Sequence, residues 1–466
     1  MISIDGESGI PAYVQIYEGL KEDIEAGVYR PGDKLPSARY LAADLGVSRN
    51  TVNQAFTKLV SEGFVTSRKR SGYFVDFATS FDATFGGADR ERRRKPPFED
   101  RTDARVDYDF FYGNFLGDLF PTEEVRKAIR DALYRPDGVN EYSSEFGIEP
   151  LREQMMIYLE RSRGVRCSID QIAIQSGTRD GFERLLHLFD ARTTRAAVEQ
   201  PGYWGDIQVL SNNGFEMVPL PVTSAEAFFS ALDAGKPRLV FVTPSHQFPT
   251  GTTLDLAGRK RLIEWADRND AFIVEDDYDS EYRYGSRPLP SLQSLDERGR
   301  VIYSSTTSKV FSPGMRVSCL VLPRRLLETY RTKMASYWCS VSWIVQRSLC
   351  LLLESGAYES QVRKMVKFYR ESQAILVDAL ESAFGDRVSI GGKDAGLHLW
   401  LVVNDPRDND ELASLALRKG VRVYPPTGCW IDETKADRHA LILGYSAMRH
   451  EDIRPGVERL AEAWLV

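Results

Sequence analysis

The sequence predicts a multidomain protein: a small helical unit closed by a hairpin, then an α/β layered domain that ends in a smaller α+β subdomain. Three observations carry this. A chain of 466 residues is too long for one typical core. Its first 76 residues combine helical apolar spacing with a short two-stranded close. From about residue 108, continuous apolar runs alternate with helical segments, the pattern of a largely parallel sheet covered on both faces.

The first unit, residues 1–76, places helices in "AYVQIYEGLKEDIEAG", "ARYLAADLG" and "RNTVNQAFTKLVSEG", with a turn at "RPGDKLPS" and a hairpin in "FVTSRKRSGYFV". Ser37 and Ser48 each precede a helical pattern, where a hydroxyl accepts from the free amides of the first turn. Gly46 and Gly63 stand where helices should stop. Residues 77–107 mix glycine, proline and both charge signs without periodicity and read as a linker. The run Arg92-Arg93-Arg94-Lys95 within it is read as solvated charge rather than a phosphate contact.

Residues 108–466 form the larger domain. Strands are expected in "QIAIQ", "RAAVE", "PRLVFVT", "AFIVEDD", "RVIYSS" and "SCLVLP". From roughly residue 350 the helical "VRKMVKFYRESQAILVDALES" opens the smaller subdomain, which continues with strands in "LHLWLVV", "VRVYPP" and "ALILGYS" and a closing helix. There is no internal repeat.

Composition narrows the function classes. Hydrophobic content of 42% with 27% charged residues is ordinary for a soluble globular chain, and no apolar run reaches the ~20 residues of a membrane-spanning helix. The opening "MISIDGESGIPAY" lacks the apolar core of a secretory signal, so a cytoplasmic location is expected. Cys167, Cys319, Cys339, Cys350 and Cys429 form no CxxC pair, so neither a disulfide framework nor a metal site is expected. A net charge of −7 offers no global attraction to nucleic acid, so DNA binding needs a local basic patch.

The first unit supplies one. "LPSARYLAADLGVSRNTVNQAFTKLVSEGFVTSRKRSGYFV" reads as a helix-turn-helix followed by a wing. The second helix of such a unit presents its N-terminal residues to base edges, here Ser48, Arg49, Asn50, Thr51 and Asn53. Arg49 suits bidentate reading of guanine, and Asn50 or Asn53 suits adenine. Arg39 and the wing residues Arg68, Lys69 and Arg70 would reach phosphates or the minor groove. The segment closely resembles the GntR-type winged-helix family, which implies double-stranded operator DNA as partner.

The larger domain carries a second constellation. "SSTTSKVFSPGMR" sets the amine of Lys309 among hydroxyl donors and the guanidinium of Arg316, a set that satisfies a phosphate. A lysine made less basic can form a Schiff base. The strand in "AFIVEDDYDSEYRY" ends at Asp276, and a carboxylate facing a pyridine nitrogen keeps it protonated, which makes pyridoxal 5'-phosphate (PLP) an electron sink. "IAIQSGTRDGFERLL" runs from a strand through Gly177 into a helix, presenting free amides to an anion. In "VEQPGYWG", Tyr203 or Trp204 would cover a flat ring.

These stretches, with "YSSEFGIEPLREQMMIYLERSRGV", "TPSHQFPTG" and "AGLHLWL", resemble the fold-type-I PLP-dependent aminotransferases. The combination with the first unit resembles the MocR-type regulators, a GntR-type winged helix joined to an aminotransferase-like effector domain. The resemblance implies PLP as cofactor, with Lys309 as the Schiff-base lysine and Asp276 facing the pyridine nitrogen. Tyr278 would bond the phenolic oxygen and Tyr203 stack on the ring, while Gly177, Thr178, Arg179, Ser308 and Arg316 would hold the phosphate. Asp277 and Asp279 are read as a solvated loop outside the site. A homodimer is implied as well.

Two departures bear on use. Aminotransferases carry an asparagine before "PTG", where this chain has Phe248. They also clamp the substrate carboxylate with an arginine in an "LRLGF"-like strand, where this chain has Ile442; a second arginine seen in amino-acid-sensing relatives falls at Gly205. The expectation is a regulator with little or no transaminase turnover that senses PLP itself and controls vitamin B6 synthesis. The alternatives are sensing of an amino acid or amine through PLP, a true aminotransferase with an accessory DNA-binding domain, and a repressor that has lost the cofactor.

Overall fold

The computed structural model describes residues 4, 10–68, 71–76, 106–285 and 289–465. The chain divides into two compact units, Met1–Asp100 and Arg101–Val466. Lys69, Arg70, the run at 92–95 and the linker up to residue 105 lie outside the described residues.

In the first unit, α1 (Ala12–Glu25), α2 (Ala38–Asp44) and α3 (Arg49–Ser61) precede the antiparallel hairpin β1 (Val65–Arg68) and β2 (Gly72–Val75). Both expected caps form: Ser37 Oγ accepts from the Tyr40 amide and Ser48 Oγ from the Thr51 amide, each at 3.1 Å. Gly46 and Gly63 take positive φ, 65° and 80°, just past α2 and α3. Every third or fourth residue of α3, Val52, Ala55, Phe56 and Leu59, is buried against Ile16, Leu20, Leu41 and Val75. The opposite face of α3 stays in solvent.

The second unit runs β3 (Tyr108–Asp109), α4 (Thr122–Tyr134), α5 (Glu149–Arg163), β4 (Ile172–Gln175), α6 (Thr178–Leu186), β5 (Arg195–Gln200), α7 (Trp204–Asn212), β6 (Glu216–Pro221), α8 (Ala225–Gly235), β7 (Leu239–Val242), α9 (Leu256–Arg268), β8 (Phe272–Asp277), α10 (Leu292–Leu295), β9 (Val301–Thr306), β10 (Ser318–Val321), α11 (Arg324–Met334), α12 (Trp343–Glu354), α13 (Ala357–Phe384), β11 (Val388–Gly391), β12 (His398–Val403), α14 (Asn409–Arg418), β13 (Val421–Arg422), β14 (Ala440–Gly444) and α15 (His450–Trp464). The main sheet has the order β4-β10-β9-β8-β7-β5-β6, parallel except for β10, which runs antiparallel to both neighbours. Alternate residues feed opposite layers. Ala196, Val198, Leu239, Phe241, Val274 and Ile302 pack with α6, α7 and α11. Ala197, Val240, Val242, Ile273 and Val301 pack with α8, α9 and α10. Both faces are dry, which is why these strands read as continuous apolar runs.

The strand β6 escapes a periodicity search because Pro219 and Pro221 interrupt "EMVPLP". It sits at the sheet edge, where a missing amide costs no ladder bond. In the smaller subdomain, β11, β12 and β14 form an antiparallel sheet, and Phe110, Tyr369, Leu399, Leu443 and Trp464 join its core. Only two residues of "VRVYPP" are strand, and they pair in parallel with β3 from the start of the unit.

Candidate functional site

Parallel strands deliver their C-terminal ends to one edge of a sheet, the usual place for a ligand in such folds. Here β8 ends at Asp276 and Asp277, paired in register with Ser304 and Ser305 of β9. Directly after β9, a short turn at Thr307–Lys309 brings Lys309 to the same cavity as Asp276. A cavity of about 350 Å³ lies at this edge, and Lys309, Asp276, Tyr278, Tyr203, Thr178, Arg179, Ser308 and Arg316 all line it. Gly177 adjoins it as the residue before α6. The residues singled out from sequence across 140 positions are therefore brought together.

One end of the cavity is built for an anion. Gly177 has φ 89°, and a Cβ there would stand 1.9 Å from Arg316 Nη2. Arg316 itself takes a left-handed conformation, φ 51°, and donates to the Ser176 carbonyl at 3.4 Å. The start of α6 at Gly177 carries no side-chain cap, and Ser308 Oγ is buried with no partner. An unpaired buried hydroxyl costs about 1–3 kcal/mol, so this end is incomplete without a hydrogen-bonding ligand.

The other end is acidic. Asp276 Oδ1 and Ser304 Oγ are also buried without partners. Burial, then the neighbouring Asp277 and Asp279, push the Asp276 carboxyl up to about 8. Burial lowers the pKa of Lys309, with Asp279 and Asp276 opposing it, so the amine is more readily deprotonated than a surface lysine. Its Nζ lies 5.5 Å from the centre of the Tyr112 ring. The hydroxyl of Tyr278 donates to the His246 carbonyl at 3.1 Å and stands 3.1 Å from His246 Nδ1.

The expectation that Asp277 and Asp279 form a solvated loop is wrong: they are 2% and 1% exposed. Arg163 at the end of α5 donates from Nε to Asp277 Oδ2 at 2.6 Å and from Nη2 to Ser245 Oγ at 2.9 Å. The Tyr303 hydroxyl also donates to Asp277 Oδ2, at 2.7 Å. Burial alone would raise Asp277, but Arg163 and Tyr303 outweigh it and hold the carboxyl below its ordinary range. Asp279 Oδ2 lies 2.8 Å from His246 Nδ1. Asp276 is thus backed by the Arg163–Asp277 and His246–Asp279 pairs, and nothing in the local sequence signals the first because Arg163 lies 114 positions away.

Phe248 is 2% exposed and packs edge-on to Tyr203, with ring centres 5.5 Å apart. Ile442 sits in the same apolar cluster with Cys429 and Trp430. Tyr112 and Trp204 also line the cavity, joined by a Trp204 Nε1 to Tyr112 hydroxyl bond of 3.2 Å. Tyr112 comes from the far end of the unit and carries no sequence signal. In the first unit, Arg39, Ser48, Arg49, Asn50, Asn53 and Arg68 are exposed, and Thr51 is partly so. Ser48 and Thr51 spend their hydroxyls on each other and on the helix cap. Arg68 lies over Phe74 at 4.5 Å.

Residues 12–75 match the family of bacterial regulatory proteins, gntR family, and residues 109–460 match aminotransferase class I and II. The chain is 34% identical over 98% of its length to the uncharacterized HTH-type transcriptional regulator YdeL of Bacillus subtilis, covering 97% of that protein. It is 32% identical over its full length to the probable rhizopine catabolism regulatory protein MocR of Rhizobium meliloti, covering 96% of it. With the HTH-type pyridoxine biosynthesis transcriptional regulator PdxR of Corynebacterium glutamicum it shares 30% identity, over 96% of this chain and 95% of that one. Among solved structures, a kynurenine aminotransferase of Pyrococcus horikoshii superposes with a TM-score of 0.72 at 24% identity, over 82% of this chain and 98% of the other.

Proposed function

Given that the chain belongs to the MocR-type regulators, a gntR-family helix-turn-helix unit joined to an aminotransferase-like domain, we propose that it is a PLP-dependent transcriptional regulator whose occupancy by PLP changes its affinity for operator DNA. The observation that carries this is the pairing of two incomplete ends in one cavity: an anion cradle with an unpaired Ser308 hydroxyl, and a buried, unpaired Asp276 oxygen. A phosphate fits the first and a protonated pyridine nitrogen fits the second.

In this reading Lys309 supplies the amine that links the cofactor, and Gly177, Thr178, Ser308 and Arg316 bind its phosphate. Arg179 contributes its main-chain amide to that cradle. Asp276 holds the ring nitrogen's proton, Tyr278 sits by the phenolic oxygen, and Tyr203 covers the ring. Bound PLP supplies an electrophilic carbonyl and an electron sink. Arg163 keeps Asp277 ionised, which together with burial keeps Asp276 basic enough to hold a proton between itself and the ring.

Turnover is proposed to be slight. Phe248 offers no amide to the phenolic oxygen, and Ile442, packed among Phe248, Cys429 and Trp430, offers no charge to a substrate carboxylate. The same two residues support PLP itself as an effector, and the name of the PdxR relative supports control of vitamin B6 synthesis. Arg49, Asn50 and Asn53 on the exposed face of α3, with Arg39 and the wing residues Arg68, Lys69 and Arg70, are proposed to meet the DNA. A homodimer would present two such helices to repeated half-sites.

The test is a PLP titration of the apo-protein, followed by visible absorbance and by binding to DNA from upstream of its own gene. A visible absorbance band that is absent in Lys309→Ala, rising together with a change in DNA affinity, is the expected result. If PLP binds and DNA affinity stays constant until an amino compound is added, PLP is a cofactor only. If no band forms, the reading of the cavity fails.

A further inference from the structure

The C-terminal end of β5 carries a buried carboxyl that the cofactor reading does not use. Glu199, the last residue but one of that strand, is 8% exposed. Its Oε2 accepts three hydrogen bonds, from the Thr243 amide at 3.1 Å, the Thr243 hydroxyl at 2.6 Å and Gln247 Nε2 at 3.2 Å. Its Oε1 accepts none from any described residue. A carboxylate oxygen withdrawn from water without a donor is costly, which favours a ligand that brings one.

Glu199 lines a groove of about 460 Å³ that the first turns of α8 and α9 help to wall. This groove and the Lys309 cavity share no lining residue. Phe228, Val242 and Leu254 give it apolar walls. At its rim, Arg261 lies 3.8 Å over the Phe229 ring, and Asp255, which accepts from the Gly258 amide at 2.7 Å, carries the opposite charge. The other acid near Glu199 is Asp206 of α7, which burial, Asp276 and Glu199 raise well above its ordinary value. Burial raises the Glu199 carboxyl to about 7, while the bonds from Thr243 and Gln247 oppose it. Because Oε2 already faces three donors, a proton on this carboxyl sits on Oε1.

The bonds of Oε2 lead to the Lys309 cavity. Thr243 lines that cavity, and its hydroxyl accepts from the Phe248 amide at 3.0 Å. Gln247 Nε2 also donates to the carbonyls of Pro201 and Phe248. Phe248 in turn packs edge-on to Tyr203. A change of charge on Glu199 alters the strength of the bonds that hold these residues.

We propose that the groove is a second ligand site, for an aliphatic amine whose ammonium group pairs with Glu199 Oε1 and whose chain lies along Phe228, Val242 and Leu254, and that its occupancy changes the affinity of the Lys309 cavity for PLP. The site itself stands on the groove alone. The coupling rests on the reading of the Lys309 cavity as a PLP site.

The experiment titrates N,N-dimethylhexylamine into the full-length protein, with and without PLP, against 1-hexanol and hexanoate, and reads binding by calorimetry. A tertiary amine cannot condense with the PLP carbonyl, so a Schiff base cannot account for its binding. At about pH 8 the amine should bind about tenfold or more tightly than the alcohol or the acid, as a charge-assisted pair requires. Its affinity should fall about tenfold between about pH 8 and about pH 6, because Glu199 takes up its proton there while the amine stays charged. The preference should vanish in Glu199→Gln, which keeps an oxygen for Thr243 and Gln247. Ala257→Phe, at an exposed position of α9 that lines the groove, should weaken amine binding about tenfold through lost space, with an unchanged urea midpoint. Saturating amine should shift the PLP affinity, read by absorbance, about fivefold in wild type and not in Glu199→Gln. Equal binding of amine and alcohol overturns the site, and so does a preference that survives Glu199→Gln or binding that ignores Ala257→Phe. A PLP affinity indifferent to the amine overturns the coupling. Absence of any cofactor absorbance in the wild type would instead sink the reading of Lys309, while the PLP-free titrations still decide the groove.

Discussion

Replacing Asp276 by asparagine should make the apo-protein less sensitive to rising pH and weaken its hold on PLP. The native carboxyl keeps its proton to about pH 8, against an ordinary value of 3.8. Because the folded value is raised, the native state binds a proton that the unfolded chain has released, and the resulting stability is lost as pH climbs through about 8. Between about pH 6 and about pH 8 that single proton is worth roughly 2 kcal/mol. The side-chain amide of Asp276→Asn does not titrate, so the variant should lose about 2 kcal/mol less than wild type across this interval. Glu199 and Glu275, whose shifts do not depend on Asp276, titrate in both proteins and cancel in the difference. Urea denaturation of both apo-proteins at the two pH values, followed by tryptophan fluorescence, measures it. PLP should flatten the wild-type curve, since a pyridinium donor satisfies the ionised Oδ1, and should bind Asp276→Asn about ten- to a hundredfold more weakly, the worth of a charged hydrogen bond. Parallel pH curves for wild type and variant, or equal PLP affinity, would refute the argument that Asp276 is a buried carboxylate waiting for a cation.

Arg163→Met removes the partner of buried Asp277 and should cost about 3–5 kcal/mol in urea denaturation, the penalty of an unpaired buried charge; a loss under 1 kcal/mol would show that water or another group takes over. Ser48→Ala deletes the cap of α3 and should destabilise the first unit by about 1 kcal/mol, visible as a lower thermal midpoint. Arg49→Ala should weaken binding to the specific operator by about 1–3 kcal/mol while leaving non-specific binding nearly unchanged, measured by anisotropy on matched DNA duplexes.

The ends of α2 and α3 were legible because their signals are local: a serine three residues before the amide it caps, and a glycine where φ must be positive. The strands of the main sheet were legible because burial on both faces writes itself into consecutive residues. The edge strand β6 and the short β3 were not, since neither has a pattern that survives two prolines or two residues of length.

For the candidate site, the chain by itself singled out Lys309, Asp276, Tyr278, Tyr203 and the turn at Gly177, through motifs that resemble those of the aminotransferases, and the structure gathers them at one cavity. Only the tertiary structure decided their electrostatics. Asp277 and Asp279 read as a wet loop in a polar stretch, yet Arg163, Tyr303 and His246 arrive from other elements and bury them. Arg179, placed with the phosphate by the resemblance, has its guanidinium 4.1 Å over the Trp204 ring, beside the space left open at Gly205. Motif spacing reports the backbone a residue stands on. Where a long side chain goes, and what charge faces it, depends on space left by residues far away in sequence.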